Sequence, residues 1–267
     1  MSDGNGSGGG KPRLLVVDTG AVSATAAGEI ARVLAGALAR KDVVHWATTG
    51  GSAAPGIYTA LRTPEHRAAL DWSRIHTWWG DDRFVPTDHP LSNVLPFYEV
   101  LLADEGNAQA AIAMPAANVH PFPVAAAIAR AGGRDWCAAR YAESLEELVP
   151  LDGAGTPVLD LLILGVGPDG HLLSVFPRSS VWDAPGVCAG VPAPTHVEPH
   201  VERVTVHPRV VAAATEVIVI TTGASKAHHM ASAWEGGDAR ELPIRFTRLP
   251  QATWILDEAA ASGIPRG

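Results

Sequence analysis

The sequence predicts an α/β protein with a doubly wound, mainly parallel sheet and helices on both faces. Three observations carry this prediction. Short runs rich in Val, Ile and Leu alternate with segments of helical apolar periodicity, which is typical of repeated strand–helix units. The run at 161–164, Leu-Leu-Ile-Leu, is unbroken and suits a strand buried on both faces. Several of these runs also end in glycine-rich or polar turns, where open sheets place their ligands.

The individual elements follow from residue type and spacing. Strands are predicted over residues 13–18, 42–49, 75–80, 161–164, 203–207, 216–221 and 252–256. Helices are predicted over residues 21–40, 54–62, 94–102 and 135–148, between 207 and 216, and from Lys226 onward. The first of these helices repeats apolar residues every three or four positions from Val22 to Leu38. In the second, Pro55 is tolerated because it falls in the first turn.

Two segments lack a regular pattern. Residues 103–123 are rich in Ala, Pro and Asn and are predicted to form a connecting loop. Residues 178–200 contain four prolines and are predicted to form a second, longer loop. A loop of that length in a compact domain is often a lid or a wall of a binding site.

Composition limits the classes of partner. The chain has 267 residues, 47% of them apolar, and a net charge of −8. Its acids are scattered and it has no basic stripe, so neither nucleic acid nor an anionic membrane is an expected partner. We see no run of the roughly 20 apolar residues that a spanning helix needs. Cys137 and Cys188 are too few for a disulfide framework, which favours a cytoplasmic protein with reduced thiols.

The domain organisation is expected to be simple. Residues 1–12, rich in Gly and Ser, are predicted to be a disordered tail. Residues 13–260 are predicted to form a single α/β domain, and residues 261–267 a C-terminal tail.

The most informative stretch is GVGPDGH at 165–171, directly after the 161–164 strand. Its glycines and proline force a sharp turn, and Gly167 and Gly170 let the backbone approach a ligand. Asp169 and His171 then stand at the carboxyl end of a buried parallel strand, which makes His171 the leading candidate for chemistry. The alternatives are structural, since a histidine can cap a tight turn and Pro-Asp-Gly is itself a turn sequence.

Other strand ends carry groups that suit an anion. The predicted phosphate loop consists of Thr49, Gly50, Gly51 and Ser52. It joins a strand to a helix, so free N–H groups and the helix dipole face the anion. Lys226 lies in the first turn of another helix, where a cation is best tolerated beside an anion. Because the carboxyl ends of parallel strands share one edge, we expect these groups, Asp81 and Arg83 to share one cleft with His171.

Several blocks resemble those of the 6-phosphogluconolactonase family, within the sugar-phosphate isomerase/lactonase superfamily. They are GVGPDGH with SVFP at 174–177, DDRFVP at 81–86 with Ser92-Asn93, and TGGS at 49–52. The resemblance implies a Rossmann-like fold of that superfamily, a catalytic domain, and hydrolysis of 6-phospho-D-glucono-1,5-lactone in the oxidative pentose phosphate pathway. It also implies that Arg203 and Lys226 hold the substrate phosphate. Asp82 stands where the family usually has a longer glutamate.

These residues can perform the implied chemistry without a cofactor or a metal. An imidazole with a pKa near ~6.5 can take a proton from water and then return it to the leaving ring oxygen. Asp169 can orient the His171 ring. The oxyanion donor is left open between the turn amides and Arg83, and Asp81 can position Arg83 or a loop. His196, His200 and His207 are loosely spaced and are expected to be surface residues.

Two rival functions remain open at this level. Glucosamine-6-phosphate deaminases of the same superfamily carry a glutamate shortly after the histidine, whereas SVFP at 174–177 has no acid. A non-enzymatic sugar-phosphate-binding regulator would need a partner module, for which residues 1–12 are too short. The expected partner is therefore a small sugar-phosphate lactone, with possible functional coupling to glucose-6-phosphate dehydrogenase.

Overall fold

The computed structural model describes residues 10–103 and 112–265. The strands are β1 (Arg13–Val17), β2 (Val44–Thr48), β3 (Ile75–Trp79), β4 (Asp81–Arg83), β5 (Val119–His120), β6 (Leu161–Gly165), β7 (Cys188–Val191), β8 (Arg203–Val206), β9 (Glu216–Thr221) and β10 (Ala252–Asp257). The α-helices are α1 (Val22–Leu38), α2 (Ala54–Leu61), α3 (Pro64–Ala69), α4 (Val124–Ala129), α5 (Gly133–Leu148), α6 (Pro208–Ala213) and α7 (Ala227–Glu235).

A seven-stranded sheet of order β1-β10-β9-β6-β2-β3-β5 forms the centre, and its strand pairs are all parallel. Helices cover both of its faces. Tyr58 of α2 bonds to Thr48 on one face (2.8 Å), and Tyr141 of α5 packs on Trp78 on the other, with ring centroids 5.7 Å apart. Strand β6 is central and its Leu161–Leu164 side chains are buried. The predicted doubly wound α/β fold is thus confirmed.

A second, three-stranded sheet was not predicted. Its order is β4-β8-β7 and both of its strand pairs are antiparallel. The prediction of an irregular loop over 178–200 is therefore wrong in part, since this segment contains β7 and a 3-10 turn at Ser180–Asp183. Strand β4 has the sequence Asp-Asp-Arg, which lacks β-propensity. Its extended conformation is stabilised by antiparallel pairing with β8, which is distant in the sequence.

Smaller differences concern the edges of the sheet. The predicted helix ending at residue 102 is a single π-helical turn at Phe97–Leu101. The predicted loop over 103–123 contains β5, and α4 follows it unpredicted; residues 104–111 of that loop lie outside the described residues. In both places the segment is too short for a periodic signal.

One segment meets the length and hydropathy of a membrane-spanning helix. It is Thr19–Leu38, with a mean hydropathy of 1.3, and it was not predicted from the sequence. It packs against α2 and the central sheet and buries one face, including Ile30 and Leu34. Glu29 and Arg32 pair at 2.9 Å on its other side. These contacts are those of a core helix rather than a span.

The packed region extends beyond the predicted domain limits. Pro12 is buried and the Lys11 ammonium lies 5.3 Å from the centre of the Trp234 ring. At the other end, Ala261 and Ile264 are buried in the core, so the predicted tail at 261–267 begins too early. Residues 1–9 and 266–267 lie outside the described residues.

Candidate active site

A cavity of about 470 Å³ opens at the carboxyl ends of the central strands. This volume falls within the range of small-molecule sites. Ten of the sequence-predicted site residues line it: Thr49, Gly50, Gly51, Ser52, Asp81, Arg83, Gly167, His171, Arg203 and Lys226. They come from the turns after β2, β6 and β9 and from strands β4 and β8, so the cleft expected from convergent strand ends exists in this structure.

The turn after β6 holds His171 against the cavity. The Gly167 N–H donates to the His171 carbonyl (2.9 Å) and the Gly170 N–H donates to the Gly167 carbonyl (3.2 Å). The His171 ring lies so close to the Cα of Gly167 that a Cβ there would overlap the imidazole. Glycine is therefore required at residue 167 by the catalytic candidate itself.

Gly170 does not line the cavity. Its φ of +80° is a backbone conformation that favours glycine, and a Cβ there would meet Leu242. Its carbonyl accepts a hydrogen bond from the Ile244 N–H at 3.0 Å. Direct substrate binding by Gly170 stays a prediction, and in this structure the residue shapes the turn that carries His171.

Asp169 is bonded to two histidines. Its Oδ1 lies 2.5 Å from His171 Nδ1, and its Oδ2 lies 2.9 Å from His196 Nε2. Burial acts to raise the pKa of Asp169, but hydrogen bonds with His171 and His196 outweigh burial and hold the pKa well below its usual range. The carboxylate is therefore anionic beside the His171 ring. His196, expected at the surface, is half exposed yet bonded to this carboxylate.

The phosphate-loop candidates lie against Asn93, a residue that was not predicted to belong to the site. Asn93 lines the cavity, and a Cβ on Gly50 would overlap its side chain. Asn93 Nδ2 donates to the Asp81 carbonyl at 2.9 Å. Gly51 adopts a φ of +72°, which lets the chain turn sharply before α2. The signal for Asn93 was present in the Ser-Asn block, but no role was given to it.

The Asp81 side chain bonds to two neighbouring loops and not to Arg83. Its Oδ2 accepts a hydrogen bond from Ser174 Oγ (2.7 Å), and its Oδ1 lies 3.3 Å from Asn93 Nδ2. Arg83 instead donates from Nη1 to the Leu91 carbonyl at 2.6 Å. Within the described part of the chain, its buried Nε has no hydrogen-bond partner. The residue lines the cavity, and an arginine on a cavity wall can bind a developing negative charge.

Asp82 is a buried carboxyl behind this wall. It is 1% exposed, and its Oδ1 accepts from the backbone N–H groups of Asn93 (2.7 Å) and Arg83 (2.8 Å). Ser92 Oγ lies 3.1 Å from its Oδ2. Burial raises the pKa of Asp82 to about 7 despite these bonds. Asp82 therefore organises the 81–93 loop from beneath and does not line the cavity.

Arg203 and Lys226 supply positive charge to the cavity. Arg203 is 2% exposed and donates from Nη2 to the Pro199 carbonyl at 3.0 Å, with its guanidinium 5.4 Å from the centre of the Phe176 ring. Burial lowers the pKa of Arg203, and the charge of Asp81 offsets part of that effect. Burial likewise lowers the pKa of Lys226, and the negative charge of Asp169 offsets part of that effect. Cations that are desolvated to this degree favour an anionic ligand.

Further hydroxyl groups complete the lining and were missed. They are those of Thr19, Ser23, Thr221 and Thr222. Thr19 follows β1, and Thr221–Thr222 precede the Gly223 turn. For the three threonines, the available signal was their position just past or at a strand end, since the carboxyl ends of parallel strands share this edge. Among the residues that the structure describes, no group of three or more His, Cys, Asp or Glu could hold a metal ion.

The central sheet is parallel, and a polar cavity lined by cations lies at the carboxyl ends of its strands. These features are typical of open α/β proteins, which bind ligands in a crevice at that edge. The family model for glucosamine-6-phosphate isomerases/6-phosphogluconolactonase matches residues 17–255. A 6-phosphogluconolactonase from Streptomyces coelicolor is 32% identical over 96% of this chain and 95% of its own. One from Mycobacterium leprae is 32% identical over 88% and 91%. The solved 6-phosphogluconolactonase structure from Trypanosoma brucei has a TM-score of 0.81 at 28% identity and covers 96% of this chain and 99% of that chain.

This chain therefore belongs to the glucosamine-6-phosphate isomerase/6-phosphogluconolactonase family.

Proposed function

We propose that the protein hydrolyses 6-phospho-D-glucono-1,5-lactone to 6-phosphogluconate, as a cytoplasmic enzyme of the oxidative pentose phosphate pathway. Its relatives of similar length are named for this reaction. Functional coupling is expected with glucose-6-phosphate dehydrogenase, the pathway step that forms the lactone. The observation that carries the proposal is that His171, paired with Asp169, faces the same cavity as Arg203 and Lys226.

The reaction needs one base and one acid in sequence. Because Asp169 engages Nδ1 of His171, the other ring nitrogen, Nε2, is the one that takes a proton from the attacking water. The resulting hydroxide adds to the lactone carbonyl carbon and forms a tetrahedral oxyanion. As the bond from this carbon to the ring oxygen breaks, the imidazolium returns the proton to that oxygen. The product is the open-chain acid, and the overall reaction adds one water molecule to the lactone.

Arg83 is the proposed oxyanion donor. The turn amides were the alternative, but the N–H groups of Gly167 and Gly170 are engaged within the turn and that of His171 donates to Asp169 at 3.2 Å. Arg83 lines the cavity, and a guanidinium has five N–H donors, of which Nη1 already donates to the Leu91 carbonyl. A donor fixed before the charge develops stabilises the transition state without reorganisation.

The phosphate is assigned to cationic and polar groups that line the same cavity as His171. The Thr49–Ser52 loop offers backbone N–H groups and hydroxyls, and Arg203 and Lys226 offer charge. Charge-assisted hydrogen bonds of this kind are roughly twice as strong as neutral ones. They hold the lactone carbonyl within reach of His171, and this orientation supplies part of the rate enhancement.

The test is lactone hydrolysis by the purified protein, with the spontaneous opening of the lactone subtracted. His171→Ala should lower kcat by roughly 10²- to 10⁴-fold, and His228→Ala, an exposed histidine on α7, should leave it unchanged. Near-normal enzymic turnover in the His171 variant would exclude it as the base. Release of ammonia from glucosamine 6-phosphate at a comparable rate would assign the chain to the deaminase branch. Tight binding of 6-phosphogluconate without lactone hydrolysis would indicate a regulator.

A further inference from the structure

The carboxylate of Asp169 serves two histidines from different parts of the chain. His171 belongs to the turn after β6, whereas His196 lies 27 residues beyond Asp169 in the irregular segment between β7 and β8. The two rings contact different carboxylate oxygens, His171 at Oδ1 and His196 at Oδ2. The His171 side chain is 12% exposed and that of His196 is 52% exposed. His196 thus reaches the pair from its solvent side.

Phe176 holds both rings in place. Its ring centroid lies 4.5 Å from that of His171 in a tilted contact and 5.7 Å from that of His196 in an edge contact. Phe176 is 6% exposed, and the Arg203 guanidinium lies over the same ring. Because one buried aromatic ring supports both histidines, the contact of His196 with Asp169 is part of a packed unit.

We propose that His196 is a positioning residue for lactone hydrolysis, which fixes the Asp169 carboxylate and sets how strongly that carboxylate holds the proton on His171. This role rests on the proposed function of the site. Neither His196 nor Asp169 lines the cavity, so both act through His171.

The physical reason is the division of one negative charge between two donors. A hydrogen bond to Oδ2 draws charge away from Oδ1, and it also fixes the plane of the carboxylate. Without it, the full charge acts on the His171 ring and the protonated ring is favoured. The carboxylate also gains freedom to rotate, and the ring that it orients loses its fixed direction toward water. Turnover should fall, whereas substrate binding should not.

Other charged groups face this unit. Arg203 and Lys226 both interact electrostatically with Asp169. On the loop side, Glu198 pairs with His200 at 3.0 Å, and both are largely exposed. All four groups are unchanged in the two His196 variants compared below with the wild type, so their effects cancel in that comparison, and His200 is replaced only in the control.

The experiment compares three variants of the full chain with the wild type. His196→Ala removes the donor, and His196→Gln keeps an N–H donor of similar reach. His200→Ala is the matched control, because His200 lies in the same segment with similar exposure (48%) but bonds to the Pro194 carbonyl and Glu198 rather than to Asp169. For each protein, kcat and KM are measured across pH, and the ring titration of His171 is followed by NMR.

We expect His196→Ala to lower kcat about tenfold with KM within about twofold. The acid limb of the kcat profile and the NMR titration midpoint of His171 should both move upward by roughly half a pH unit. His196→Gln should restore most of the rate and the midpoint. A loss of kcat without a moved midpoint, or an equal loss in His200→Ala, would overturn the proposal, because either result indicates a loop effect only. Absence of lactonase activity in the wild type would refute the proposed function, whereas the NMR titration would still test the link to His171.

Discussion

Replacing Asp82 with asparagine should change how the stability of the fold depends on pH. The carboxyl is 1% exposed and has its pKa raised from 3.8 to about 7. Asparagine keeps the shape, its Oδ1 can accept from the N–H groups of Asn93 and Arg83, and its Nδ2 can donate to Ser92 Oγ. The substitution therefore removes a titration while retaining the bonds, and the variant should fold.

The direction in which stability changes with pH follows from which state binds the Asp82 proton more tightly. Since the folded state binds the Asp82 proton more tightly than the unfolded state, the stability that it contributes is present at low pH and is lost as the pH rises from about 4 through about 7. At 1.36 kcal/mol for each pH unit, the loss between about pH 5 and about pH 8 is about 3 kcal/mol. The asparagine variant lacks this loss, so its stability relative to the wild type should rise with pH by that amount.

The assay is urea denaturation at both pH values for the wild type, Asp82→Asn and Asp88→Asn, an exposed control on the same loop. Other titrating groups are common to all three proteins and cancel in the difference. If the wild type and Asp82→Asn showed parallel pH dependence, the carboxyl would not carry the buried proton. An equal response of Asp88→Asn would attribute the effect to net charge rather than to burial.

Three further outcomes are expected. Lys226→Ala should raise KM for the phosphorylated lactone by tenfold or more and leave KM for an unphosphorylated lactone nearly unchanged; equal effects on both would contradict the phosphate assignment. Gly50→Ala should lower both turnover and Tm, because the new Cβ overlaps Asn93; normal kinetics would mean that the loop relaxes freely. Burial lowers the pKa of His45 to about 4, so the free energy of unfolding should fall as the pH drops from about 6.5 toward 4, and His45→Gln should lessen that fall in urea titrations.

The parts of the fold that the sequence predicts are those with local signals. The long helices α1 and α5 show apolar periodicity, and their observed bounds lie within about two residues of the predicted ones. Strand β6 and its turn were predicted because a short apolar run ends in glycines and a proline. Since each signal is contained in one segment, these elements can be predicted without knowing how the rest of the chain folds.

The missed elements depend on distant partners. Strand β4 and strand β7 pair only with β8 in the second sheet, and neither sequence, Asp-Asp-Arg or Cys-Ala-Gly-Val, alternates in a way that indicates a strand. His196 likewise gives no signal in an irregular segment, because its role arises from a contact across 27 residues. The spacing of the motif predicted a role for His171 in chemistry. A contact such as that between His196 and Asp169 can be found only in the folded chain.

Two aspartates near the site show how packing assigns different roles to one residue type. Asp82 is enclosed among backbone N–H groups and a hydroxyl, and burial raises its pKa to about 7. Asp169 accepts from two histidines, and their hydrogen bonds hold its pKa well below its usual range. Environments that separate the pKa values of two carboxyl groups distinguish a structural from an electrostatic role. Asp82 gives up its proton at a far higher pH than Asp169 and adds less negative charge to the 81–93 wall than an ordinary aspartate, so the charge bonded to His171 is that of Asp169. That arrangement allows a cavity lined by Arg203 and Lys226 to stay attractive to an anion while His171 still has a carboxylate bonded to its ring.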